Sequence, residues 1–144
     1  MKIIADTNVL VRAAVRDDED ESRLAMTALD DAESIAVTSA ALCEFVWVLG
    51  RGYRKKANEI VFAIRRLLAS ANVETDRPAV EAGLAMLEAG GDFADGVITF
   101  EGRRLGGEVF TTFDRKAVAL VRAAGGEARL LSKKARAEEA PRKS

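Results

Sequence analysis

The chain has 144 residues, 49% of them apolar and 31% charged, with a net charge of −1, which is the length of one domain with enough apolar material for a core. It contains no histidine and a single cysteine, Cys43, which excludes histidine-based catalytic pairs, histidine- or cysteine-ligated zinc and an internal disulfide. No apolar run approaches the roughly 20 residues that span a bilayer, and Asp6 would fall inside the apolar part of any signal peptide, so a cytosolic protein without a membrane partner is expected.

Lys2 to Ala5 reads as a strand, because Ile3 and Ile4 suit a position buried between helices. Asp6, Thr7 and Asn8 follow and open a helix to about Arg16; their short oxygen-bearing side chains can accept hydrogen bonds from its first N–H groups. Asp6 has a second reading, since ligands of open α/β sheets bind at the carboxyl ends of the strands. Asp17 to Glu21 is a run of five acids, read as a solvated loop and helix start. Asp20 to Glu33 carries Leu24, Ala25, Ala28 and Leu29 at helical spacing, and Ser34 to Thr38 is a short strand. Ser39 can cap a helix to about Leu49, with Gly50 and Gly52 to end it. Cys43 in it reads as a small buried hydrophobe. Arg51, Arg54, Lys55 and Lys56 form a basic knot that suits a phosphate-bearing partner but also an ordinary surface.

Asn58 to Ala71 is amphipathic, Val73 to Thr75 a possible strand, and Arg77-Pro78 opens a helix that Gly90-Gly91 closes. Asp95 to Leu105 reads as a helix, Glu108 to Thr112 as a strand, Asp114 to Ala124 as a helix and Ala128 to Leu131 as a last strand. Strands alternating with helices predict a three-layer α/β/α domain over residues 1–131, around a mainly parallel sheet of about five strands. Residues 132–144 form a polar tail, expected to be disordered; its five basic and two acidic residues give +3 and leave −4 for the body.

Four acids fall at telling places. Asp6 and Asp114 each follow a strand, which puts both on one rim of a parallel sheet. Asp95 stands at a helix start in DFADG, and Glu44 is the only acid in the apolar stretch LCEFVWVL. Asp95 and Asp114 also suit N-caps, and Glu44 also suits a salt bridge, since an ionised carboxylate in an apolar helix needs a partner or a metal. Four carboxylates about 5 Å apart would repel by about 3 kcal/mol per pair at an effective dielectric near 20. A cation or bound protons must then offset that repulsion, and an all-oxygen site suits Mg²⁺ or Mn²⁺ acting on phosphates.

DTNVL, CEFVWVL, DFADGVI and TTFDRKA together resemble the PIN-domain ribonucleases, and most closely the VapC toxins of toxin–antitoxin pairs, over essentially residues 1 to 131. The resemblance implies that Asp6, Glu44, Asp95 and Asp114 are an acidic quartet holding the divalent metal. It sets Thr112 and Asn8 beside the site and makes Asp92 a companion of Asp95, although Asp92 equally suits a turn or cap. It further implies a homodimer, an RNA substrate and a VapB-type antitoxin that blocks the site in a hetero-oligomer and carries the promoter-DNA contacts. A metal-bound water would then attack an RNA phosphodiester without any histidine. Arg51, Arg54, Lys55 and Lys56 would steer the backbone, and Trp47 could stack on a base, although helix packing is the simpler role for it.

Two other enzyme classes place an aspartate after the first strand. A haloacid-dehalogenase-type phosphatase wants a second aspartate where Asn8 stands, and a response-regulator receiver wants paired acids before its phosphorylated aspartate; both fit poorly. The alternative of another class is an antitoxin-dependent corepressor, a binding module whose carboxylates only build structure.

Overall fold

Ile3, Ile35 and Val73 meet in register across three parallel strands, β1 (Lys2–Ile4), β2 (Ser34–Ala36) and β3 (Val73–Glu74). The computed structural model describes residues 1–133; the expected tail lies, from residue 134 onward, outside the described residues. A second parallel pair, β4 (Val109–Thr112) and β5 (Glu127–Leu130), matches Phe110 to Ala128 and Thr112 to Leu130. Among the described residues all five strands are parallel, where a mainly parallel sheet is expected, but they are hydrogen-bonded as a set of three and a set of two and not as one sheet. β1 and β4 each keep one edge outside these ladders. Near those edges Ile4 is 81% exposed and Phe113 78%.

The helices are α1 (Thr7–Ala14), α2 (Glu19–Asp31), α3 (Ser39–Trp47), α4 (Ala57–Ala69), α5 (Arg77–Glu88), α6 (Phe93–Arg104) and α7 (Arg115–Ala123). Local chemistry sets several of their starts. Asp18 accepts from the Glu21 N–H at 3.0 Å, Thr38 from Ala41 at 3.1 Å and Asp76 from Ala79 at 3.3 Å, each satisfying an N–H that the helix itself cannot. Thr38, not Ser39, therefore caps α3. α3 also continues past Leu49 as a π-helical turn, Val48–Gly52, and α6 begins at Phe93, two residues before Asp95.

The main core joins Ile35 and Val73 to Leu10, Phe45, Ile64 and Leu84. Fully burying such side chains contributes roughly 1.5–3 kcal/mol each. The apolar stripes of α4 (Ile60, Ile64, Leu68) and α5 (Val80, Leu84, Leu87) both turn into this core. A smaller cluster of Met86, Val118, Val121 and Ala128 holds α7 to the β4–β5 pair.

α5 and α6 cross closely because both carry glycine at the contact. A Cβ at Gly83 would lie 2.6 Å from the ring of the fully buried Phe93. One at Gly96 would run into the Ala82 carbonyl oxygen and come within 2.8 Å of the Gly83 Cα. Arg104 closes the far end of the crossing by pairing with Asp76.

Candidate active site

β1 ends at Ile4, and two residues later Asp6 occupies the N-cap position of α1 without making a side-chain cap bond. Its carboxylate is exposed. Thr7, next to it, is buried, and its hydroxyl lies 3.5 Å from the Ala41 carbonyl oxygen and 3.4 Å from Glu44 Oε2. That contact ties the start of α1 to the middle of α3 and brings Glu44 beside the Asp6 end of the chain. Glu44 is itself exposed, so the salt bridge weighed for a buried carboxylate is not needed. α3 buries Ala41, Leu42, Phe45 and Val46 and turns Glu44 and Trp47 to solvent.

Asp95 lies in the first turn of α6, and Asp92, the N-cap, makes no side-chain cap bond. Burial, then the charges of Asp92 and Asp114, raise the Asp95 carboxyl above its ordinary value. Asp114 caps α7: its Oδ1 accepts from Lys116 N–H at 2.9 Å and Ala117 N–H at 3.1 Å. Its own N–H donates to Thr112 Oγ1 at 3.1 Å, so Thr112 orients the Asp114 turn.

The acids thus fall into two groups, Asp6 with Glu44 around Thr7, and Asp95 with Asp92 and Asp114. α3 and α6 are tied together where Ser39 Oγ donates to Glu101 Oε2 at 2.7 Å. Burial, Glu101 and Asp92 together push the Cys43 thiol up to about 11, which keeps it protonated and unreactive. An all-carboxylate donor set is chemically right for a hard divalent cation. The placement is not: among the described residues no three acids lie close enough to share one ion.

Asn8 is exposed in the first turn of α1. Arg51, Arg54, Lys55 and Lys56 are all exposed. The ion pairs among the described residues use Lys2, Arg12, Arg23, Arg65 and Arg104 instead. Arg54 adopts a left-handed backbone, φ 54°, where the chain leaves the π turn; a non-glycine residue there costs roughly 1–2 kcal/mol. The Tyr53 hydroxyl donates to Asp17 at 3.0 Å, and Asp17 also takes Arg12, which anchors this turn to the α1–α2 connection.

Thr7, Ser39 and Glu101 join the elements that carry these acids, and little in the sequence signals it. Thr7 was visible only as part of DTN, and the Ser39–Glu101 contact spans 62 residues with no local signal. A cavity of about 910 Å³, lined by Leu10, Met26, Leu29, Phe62, Leu67 and Val73 among others, includes none of the four acids. No helix among the described residues is long and apolar enough to cross a membrane.

Among solved structures the chain is similar to the VapC20 toxin of Mycobacterium tuberculosis, which is described as cleaving the sarcin-ricin loop. The identity is 19% and the TM-score 0.42, over 87% of this chain and 96% of that one. No curated protein matches the chain. The PIN-domain family model matches residues 3–124, a span that takes in all four acids, most of β1 and the parallel strands β2 to β4, so the chain belongs to the PIN-domain family.

Proposed function

We propose that this chain is a metal-dependent endoribonuclease and the toxin of a VapBC-type pair. It hydrolyses RNA phosphodiester bonds in the cytoplasm and is silenced by a cognate VapB-type antitoxin. In this reading Asp6, Glu44, Asp95 and Asp114 are the ligands of Mg²⁺ or Mn²⁺, with Thr112 beside them. Asn8, Arg51, Arg54, Lys55 and Lys56 contact the RNA. The active form is a homodimer, assembled with antitoxin into a hetero-oligomer that meets promoter DNA through the antitoxin.

One observation carries the reading. In a chain of the PIN family, Asp6 stands at the end of β1 with an exposed carboxylate that caps nothing. An acid at a helix start that does not serve the helix is available for a ligand. The reading requires the acids to gather on one ion when it binds. The test is cleavage of total RNA and of single-stranded oligoribonucleotides with Mg²⁺ or Mn²⁺, comparing wild type with Asp6→Asn. A loss of at least about 100-fold is expected on removing a ligand, and equal activity of the two proteins would sink the nuclease reading.

A second reading, the antitoxin-dependent corepressor with little nuclease activity of its own, is favoured by the want, among the described residues, of three acids close enough to share one ion. It predicts operator binding with antitoxin that survives Asp6→Asn, and no metal-dependent cleavage by the purified chain.

A further inference from the structure

α3 buries Leu42, Phe45 and Val46 and leaves its one tryptophan outside: Trp47, the only tryptophan of the chain, is 65% exposed. Packing on the core was the simpler role for it, and the core does not use it. Trp47 stands three residues after Glu44, on the same side of the helix and about 4.5 Å further along its axis. One turn beyond comes Arg51, followed by Arg54, Lys55 and Lys56, all exposed and without carboxylate partners among the described residues.

Two other aromatic faces each carry a guanidinium. Arg66 lies over Phe62 at 5.9 Å and Arg104 over Phe100 at 4.7 Å; among the described residues no cation lies over Trp47. Glu44 and Trp47 thus share the solvent side of α3, Arg51 follows in the π turn, and Arg54, Lys55 and Lys56 follow in the connection to α4, with no carboxylate partner among the described residues. That order matches a nucleotide strand, whose bases have a flat face for stacking and whose phosphates take arginine and lysine.

We propose that Trp47 is a substrate-positioning residue on which one unpaired base of the RNA stacks, while Arg51 and the cations after it hold the adjoining phosphates. The inference rests on the RNA reading above and narrows its substrate to single strands or loops, because a base inside a duplex is covered on both faces. A second copy of this chain seated on Trp47 is the competing occupant.

Because the chain has one tryptophan, its intrinsic emission reports on position 47. The probe is a mixed-sequence single-stranded oligoribonucleotide of about twelve nucleotides in EDTA, with its blunt duplex as control. The single strand is expected to quench the emission saturably and the duplex to do so far less. By anisotropy of labelled RNA, Trp47→Ala should raise Kd about tenfold and Trp47→Phe should restore most of the affinity. Arg51→Ala should weaken binding and flatten its salt dependence. Thermal unfolding of Trp47→Ala within about 2 °C of wild type would show that the exposed site folds without the indole.

Unchanged Kd and KM in a Trp47→Ala protein that still binds and cleaves RNA would overturn this inference and leave the nuclease reading standing. A changed oligomeric state with unchanged Kd would overturn it too, and would assign Trp47 to a contact between copies. Wild type that neither binds nor cleaves RNA would remove both.

Discussion

Asp6, Asp92 and Asp114 stand at the N-cap positions of α1, α6 and α7, and of the three only Asp114 bonds the helix it precedes. Stability and chemistry can therefore be separated by substitution. Asp114→Ala should lower unfolding stability by about 1 kcal/mol, whereas Asp6→Ala and Asp92→Ala should stay within about 0.5 kcal/mol of wild type. Urea denaturation of the three variants measures this, and equal losses would mean that Asp6 and Asp92 cap after all. Asp95 offers a second handle. Its carboxyl is raised above the ordinary 3.8, mainly by burial and then by Asp92 and Asp114, so the folded state binds its proton more tightly than the unfolded chain does. The ionised form then weakens the fold, and stability is lost as pH rises above that ordinary value. Asp95→Asn should accordingly melt above wild type at pH 7, with the gap closing near pH 4; a gap independent of pH would rule this out. The places of these acids at element ends could be read from the residues alone. The exposure of Glu44 could not, because a solvent stripe formed mainly by Glu44 and Trp47 is too narrow to mark the periodicity of so apolar a helix.

At the scale of elements, turn chemistry and apolar spacing were enough to place every helix and strand to within a few residues. What they missed lies at the ends. Nothing in Val48-Leu49-Gly50-Arg51-Gly52 distinguishes a π turn from a helix stop, yet the Tyr53 N–H reaches back to the Val48 carbonyl at 3.2 Å, and the exposed basic knot begins inside that turn at Arg51. Such turns recur at functional sites. The α5–α6 crossing is the other element-scale feature. Gly96→Ala gains about 1 kcal/mol of helix propensity, but its methyl meets the backbone at Ala82 and Gly83, which cannot rotate aside. A net loss of roughly 1–2 kcal/mol is expected in urea denaturation, together with weaker cleavage from displacement of Asp95 next door. A stabilised, fully active Gly96→Ala would show that the helices are free to part.

Over the whole molecule, five parallel strands followed from the alternation of runs, but their division into three and two did not. Which strands share a ladder depends on contacts between residues a hundred positions apart, here β1 and β4, and Ile4 reads the same whether it is covered or open. The division has a measurable signature. The β4–β5 pair and α7 rest on their own small cluster, so hydrogen exchange over residues 109–130 should proceed as one block, faster than in α3 and α4. Added Mn²⁺ should slow exchange in 109–112 if the acids gather on one ion, and Asp114→Asn should remove that effect. Uniform protection across the chain, indifferent to metal, would contradict both expectations.

The string DFADG can now be divided letter by letter. Phe93 is sealed against Gly83, and Gly96 lets α6 lie on the backbone of α5, while Asp92 and Asp95 carry charge within reach of each other and Asp95 within reach of Asp114. A pattern that passes for a signature of chemistry is in two of its letters a record of how near two helices run. Searches keyed to such a string select for that nearness as well as for the carboxylates. A relative that kept the carboxylates and held its helices a residue's width further apart would go unrecognised.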